Sequence, residues 1–69
     1  MERIPVVSSN ILSVGYDPES EVLEIEFNNH AIYQYFDINE RIYEGLIGAA
    51  SVGGYFASCI KGVYRFSKV

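Results

Sequence analysis

Two tyrosines one residue apart, Tyr33 and Tyr35, are the side chains of this chain best suited to recognition chemistry. On an open strand face their rings would form a stacking platform for unpaired bases, as on sheet-based RNA binders. On a buried face they would be core, with their hydroxyls partnered at its rim. Three bases, Lys61, Arg65 and Lys68, fall in the last nine residues with Tyr64 among them, and no acid interrupts them. Together they offer contacts to phosphate; the plainer reading is a solvated basic tail. Ser51, Gly53 and Gly54 open a helix-like stretch whose free N–H groups can hold an anion. The plainer reading there is a helix cap, and no Gly-x-x-x-x-Gly-Lys-Ser/Thr phosphate loop is present.

Other chemistries find little support. The chain has one cysteine, Cys59, and one histidine, His30, far apart in sequence and not joined by a carboxylate cluster. A zinc-type cage needs about four such ligands, so no metal or other cofactor is expected. Cys59 falls on an apolar stripe, where a thiol is usually inert. Glu24 and Glu26 share a strand face but lack the cleft that paired-carboxylate catalysis requires. With a single histidine in a turn, no serine–histidine–acid arrangement can be assembled. A non-enzymatic binding module is the expectation. A lone cysteine and the lack of a charged-then-apolar leader at Met1–Pro5 fit a cytoplasmic protein. No apolar run approaches a membrane span.

The elements that must position these residues centre on Val22–Phe36. Leu23, Ile25 and Phe27 alternate with Glu24 and Glu26, the period-2 signature of a half-buried strand. A second strand, Ala31–Phe36, follows across Asn28-Asn29-His30. Two registers compete. A three-residue loop sets Ile25 opposite Tyr33 and Leu23 opposite Tyr35, which carries the tyrosines to the buried face. A two-residue Asn28-Asn29 turn sets Leu23 opposite Gln34 and turns Tyr33 outward. A slip of one residue exchanges the faces. The first register buries only apolar and aromatic groups, so it is favoured, although asparagine suits the turn of either. The Glu24/Glu26 face is expected to be wet.

Before this hairpin, Ile11–Tyr16 reads as a strand with Leu12, Val14 and Tyr16 on one face. Asp17-Pro18-Glu19-Ser20 reads as its turn, because aspartate accepts from the backbone and proline pre-sets φ. Pro5 confines any earlier strand to a sheet edge. After the hairpin the period changes. Asp37 and Glu40 suggest a capping box, and Ile38, Ile42, Leu46 and Ala49 mark one stripe of a helix over Ile38–Ala50, widened by Tyr43, Ile47 and Ala50. Ser51 caps a second helix with Val52, Tyr55, Phe56, Cys59 and Ile60 at helical spacing, and Gly62 is placed to end it. In Val63–Val69, Tyr64, Phe66 and Lys68 alternate with Val63, Arg65 and Ser67; this segment either pairs at a sheet edge or trails along the surface. The economical architecture is α+β: a three-stranded antiparallel meander sheet with two helices packed on one face, in a single domain of residues 1–69.

The ordered set Gly15-Tyr16-Asp17, Leu23-Glu24-Ile25-Glu26-Phe27, Tyr33-Gln34-Tyr35, Ala50-Ser51-Val52-Gly53, Tyr55-Phe56 and Ile60-Lys61-Gly62 resembles the KTSC domain. That family is named after the C-terminal segment of some lysyl-tRNA synthetases and also occurs as small free-standing bacterial proteins; this chain looks like one of those. Its central Tyr-x-Tyr is met by Tyr33 and Tyr35. The resemblance implies an RNA- or tRNA-associated accessory role. In departure from members with glycine in the hairpin turn, this chain has His30. Its net charge of −4 weighs against general nucleic-acid affinity, which goes with a basic face. A second expectation, from another class, is a protein-interaction or self-association module, since a small aromatic-rich domain can leave an apolar patch or strand edge exposed.

Overall fold

The computed structural model describes residues 1–69. Five strands and two helices follow in the order β1 (Arg3–Pro5), β2 (Ile11–Asp17), β3 (Val22–Phe27), β4 (Ile32–Tyr35), α1 (Glu40–Ile47), α2 (Val52–Cys59) and β5 (Phe66–Lys68). The sheet is antiparallel throughout, with strands in sequence order. It has five strands where three were expected. The lead-in around Pro5 forms one edge and the C-terminal alternation forms the other.

The β3–β4 hairpin takes the three-residue register: Leu23 pairs with Tyr35 and Ile25 with Tyr33. Phe27 N–H donates to Ala31 O (2.9 Å) and His30 N–H to Phe27 O (2.8 Å). His30 supplies the left-handed residue of the loop, at φ 67°. The β2–β3 turn is closed by Asp17, which accepts from Glu19 N–H (3.0 Å) and Ser20 Oγ–H (2.8 Å). β2 departs from strict alternation. A bulge between Ile11 and Ser13 turns Ile11 into the core and leaves Leu12 exposed, because an extra residue reverses the facing of what precedes it.

Helix α1 is shorter than its apolar stripe and is capped elsewhere than expected. Asn39, not Asp37, is the N-cap, and its side chain accepts from Ile42 N–H (3.1 Å). Asp37 lies at φ 62°, outside the extended conformation that an N-cap adopts. Ile47 is exposed and α1 ends there. α2 begins where Ser51 places it, with Ser51 Oγ accepting from Gly54 N–H (3.0 Å). The core is one cluster. Ile11, Val14, Leu23, Ile25 and Tyr35 come from the sheet; Ile38, Leu46, Val52, Phe56 and Ile60 close it from the helical layer.

The opposite sheet face is not uniformly wet. Glu24 is only 8% exposed. Arg3 folds across Gly15 to pair with Glu24 and also donates from Nε to Ser13 Oγ (3.1 Å). Gln34 Nε2–H donates to Glu24 Oε1 (2.9 Å). Glycine is required at position 15: a Cβ there would stand 2.6 Å from Glu2 O and 3.0 Å from Arg3 Cγ.

Candidate functional site

On the helical side of the sheet, at the end that carries the β3–β4 turn, lies an open groove of about 750 Å³. Its wall is built from five aromatic rings in a closed cycle. Phe27 meets Tyr33 edge-on (5.6 Å between centroids), Tyr33 meets Phe66 (5.8 Å), Phe66 meets Tyr35 (5.7 Å), Tyr35 meets Phe56 edge-on (5.3 Å), and Phe56 returns to Phe27 (5.5 Å). These are the tilted and edge-to-face contacts that the ring quadrupole favours. Strand alternation explains the assembly. Tyr33 and Tyr35 share a face of β4, and β5 pairs so that Lys68 stands across from Tyr33 and Phe66 across from Tyr35. The cycle is graded in depth. Tyr35 and Phe56 are each 6% exposed, Tyr33 is half-buried, and Phe66 is 58% exposed.

The rim is polar. Ser9, Asn10, Asn28, Asn29 and Lys61 border the groove with Ala31 and Gly62. α2 ends at Cys59 with Ile60 as its C-cap, so Gly62 does not itself end the helix as expected. At φ 78°, a conformation that glycine adopts without a Cβ penalty, it lies in the turn that follows, beside Lys61 on the rim. Lys61 is the one charged residue of the lining, and none of the nine acids contributes to it. Asp17, Glu19 and Glu21 belong to the β2–β3 turn at the far end of the sheet, and Asp37 follows β4 at that same end. Burial pushes the Tyr35 hydroxyl above the ordinary tyrosine value, and the Tyr33 charge would add to it. The tyrosine therefore acts as a neutral O–H at physiological pH.

The six residues singled out from sequence are divided by the fold. Tyr33, Tyr35 and Lys61 line the groove, and Lys68 stands beside it as the cross-strand neighbour of Tyr33. Tyr64 packs against the core instead. Arg65 points to the other sheet face, where it lies over the Phe36 ring (5.5 Å) and pairs with Asp37 (3.3 Å). The three C-terminal bases thus do not form one surface. Sequence reasoning missed Phe66 and the amide rim as parts of a site, placed Phe27 on the buried face of its strand, and favoured the core over an aromatic surface for Phe56. The alternation of Val63–Val69 was the available signal for Phe66. The convergence of Asn10 with Asn28 and Asn29 had none, because it depends on β2 pairing with β3. Cys59 packs against the core, and His30 Nδ1–H donates to Glu26 Oε2 (3.2 Å) on the opposite face, so these two do not meet.

A family model described as the KTSC domain matches residues 7–64. The chain belongs to the KTSC family. The match takes in β2 through α2 and stops short of β5, the strand that carries Phe66 and Lys68. A solved KTSC domain protein from Yersinia pestis is 43% identical and superposes with a TM-score of 0.96 over 99% of this chain and 96% of that one. An uncharacterised protein of Stutzerimonas stutzeri is 36% identical over 100% of this chain and 99% of its own length. A lysine–tRNA ligase of Nostoc sp. is 34% identical over 88% of this chain, which corresponds to 11% of the ligase. The chain is thus similar both to a protein of about its own length and to a small part of a much longer lysine–tRNA ligase.

Proposed function

We propose that this KTSC domain is a non-enzymatic binding module whose groove takes unpaired nucleotides of RNA. One observation carries the reading: five aromatic rings form a groove whose only charged lining residue is a lysine, in a chain with an excess of acids. An exposed ring accepts a base by stacking, worth about 1–3 kcal/mol per base. Phe66 is the ring most open to do so. Tyr33 borders it, Lys61 and Lys68 supply charge for phosphate, and the rim amides offer hydrogen bonds to base edges. The similarity to a segment of lysine–tRNA ligases supports tRNA as the context.

The test is a titration of labelled single-stranded RNA and tRNA at salt concentrations from about 0.1 to 0.3 M. Phe66→Ala removes an exposed ring, so the fold is little affected, and affinity should fall roughly 5- to 150-fold, the equivalent of one stacked base. Two phosphate contacts on a single strand give a log–log salt slope of about −1.4, which a Lys61→Ala/Lys68→Ala variant should flatten. Arg65→Ala, on the other face, should bind as the parent does. Equal binding by the parent and the Phe66 and lysine variants would place RNA elsewhere. Absence of binding at about 0.1 M salt would end the RNA reading and leave the groove to an apolar peptide segment.

A further inference from the structure

The two edges of the sheet differ. In β1, Ile4 and Val6 lie on the side bonded to β2, since Val6 N–H donates to Leu12 O (3.1 Å) and hydrogen-bonded residues alternate along a strand. Arg3 and Pro5 therefore present their backbone outward, and Pro5 has no N–H to present. In β5, Arg65 O accepts from Phe36 N–H (3.0 Å) and Val69 N–H donates to Ile32 O (2.8 Å). By the same alternation Ser67 faces β4, and Phe66 and Lys68 turn their N–H and C=O groups to the open edge. All three residues of β5 are exposed, so no side chain or loop covers them.

We infer that β5 pairs with β5 of a second copy, forming a two-fold dimer with one continuous ten-stranded sheet. The register is selected by the residues present. Centred on Ser67, antiparallel pairing sets Phe66 against the partner's Lys68 and Lys68 against the partner's Phe66. Every outward N–H and C=O of β5 is then used, in four hydrogen bonds. A register that puts Lys68 against its own copy opposes like charges, which is unfavourable. One that puts Phe66 against its own copy pairs Lys68 with Tyr64, which lies outside the strand. Lysine on an edge ordinarily discourages strand addition. In the Ser67-centred register each ammonium instead has an aromatic ring as its direct neighbour, a favourable contact. Since opposite residues in a sheet share a face, the partner's Lys68 joins the mouth of the groove beside Phe66. The blunted β1 edge stops further addition, so assembly closes at two copies rather than growing into a filament. This inference does not depend on what the groove binds.

Three-residue strands make a small contact, below the roughly 1,200 Å² of standard interfaces, so the dimer dissociates on dilution. Sedimentation velocity from about 10 µM to about 1 mM should show the mass rising from one copy to two. Lys68→Pro deletes an outward N–H while the bonds from Ser67 and Val69 to β4 remain, and it should weaken dimerisation by at least about tenfold. A second arm tolerates loss of stability in that variant. In a Cys59→Ala background, Ser67→Cys places the two thiols at the directly opposed, non-hydrogen-bonded pair, where Cα atoms stand about 4.5 Å apart, within disulfide reach. Mild oxidation should cross-link it much faster than Val7→Cys, a fully exposed control near the opposite edge. A chain that stays monomeric at about 1 mM, with Ser67→Cys cross-linking no faster than the control, overturns the proposal. So does a third or fourth copy joining at high concentration.

Discussion

At the scale of single residues, Glu24 shows how this small domain handles a charge it cannot leave in water. Burial pushes the Glu24 carboxyl up, but the hydrogen bonds from Gln34 and Arg3 and the Arg3 charge outweigh it and hold the group below the ordinary glutamate range. Glu26 is also held down, chiefly by its hydrogen bond with His30 and then by Ser13. A carboxyl lowered on folding adds stability that is intact above its unfolded value, about 4.3, and is lost as pH falls through the lower folded value. Urea midpoints should therefore be level from about pH 7 to about pH 5 and drop below that. Glu24→Gln keeps the side chain's size and removes its proton uptake, so the acid-side drop should become shallower while stability near neutrality falls, since Arg3 loses its partner. An unchanged acid limb would mean that Glu24 is as solvated as the alternation of β3 suggests. That alternation did mark Glu24 as facing away from the core. It could not show Arg3 reaching over from a strand whose existence the sequence barely signals.

At the scale of elements, legibility followed how much each segment's own chemistry decided. The β3–β4 register could be chosen because the alternative buried Gln34 beside Leu23; in the structure Gln34 lies on the other face and serves Glu24. The bulge in β2 could not be read, since Ile11 and Leu12 are equally apolar and only pairing with β3 says which turns inward. The start of α1 reads too early from sequence: Asp37 suits a cap by residue type, but its backbone lies at φ 62°, and the extended backbone that a cap needs falls at Asn39. β5 was readable as an alternating segment, and the same alternation already set Arg65 apart from Lys68. What was missing was the strand it pairs with, and with that the groove. β1 depends on its neighbour's lack of a side chain. Gly15→Ala would force Glu2 O and Arg3 away from β2, so it should detach β1 selectively. Amide hydrogen exchange at Ile4 and Val6 should accelerate strongly while the β2–β3 and β3–β4 amides keep most of their protection. Uniform acceleration across all strands would instead make β1 part of one cooperative unit with the rest.

At the scale of the whole molecule, the helices cover one face of the sheet, and a chain reversal after α2 returns β5 beside β4. The groove exists only because this last strand comes back; the hairpin alone would leave Tyr33 at an open edge. The parts of the candidate site closest in sequence were the legible ones. The tyrosine pair stood out as a motif, and Lys61 did so as part of a basic tail. Phe66 lies more than thirty positions from Tyr33, and no local pattern links them. No helix is long and apolar enough to cross a membrane.

The distance between the groove and the acids of the β2–β3 turn has a further consequence for how a polyanion experiences this molecule. The chain is 28 Å across its longest axis. The distance over which ions in solution let one charge sense another is about 8 Å at physiological ionic strength and about 30 Å at 0.01 M. In cell-like salt an approaching phosphate near Lys61 is blind to the carboxylates around the β2–β3 turn. In dilute buffer it feels the full excess of −4 and is repelled. Added electrolyte thus has two opposed effects here: it masks the repulsion first, and only afterwards competes for the lysines. RNA affinity should pass through a maximum as salt rises from about 0.01 M, instead of declining from the start as it does for basic proteins.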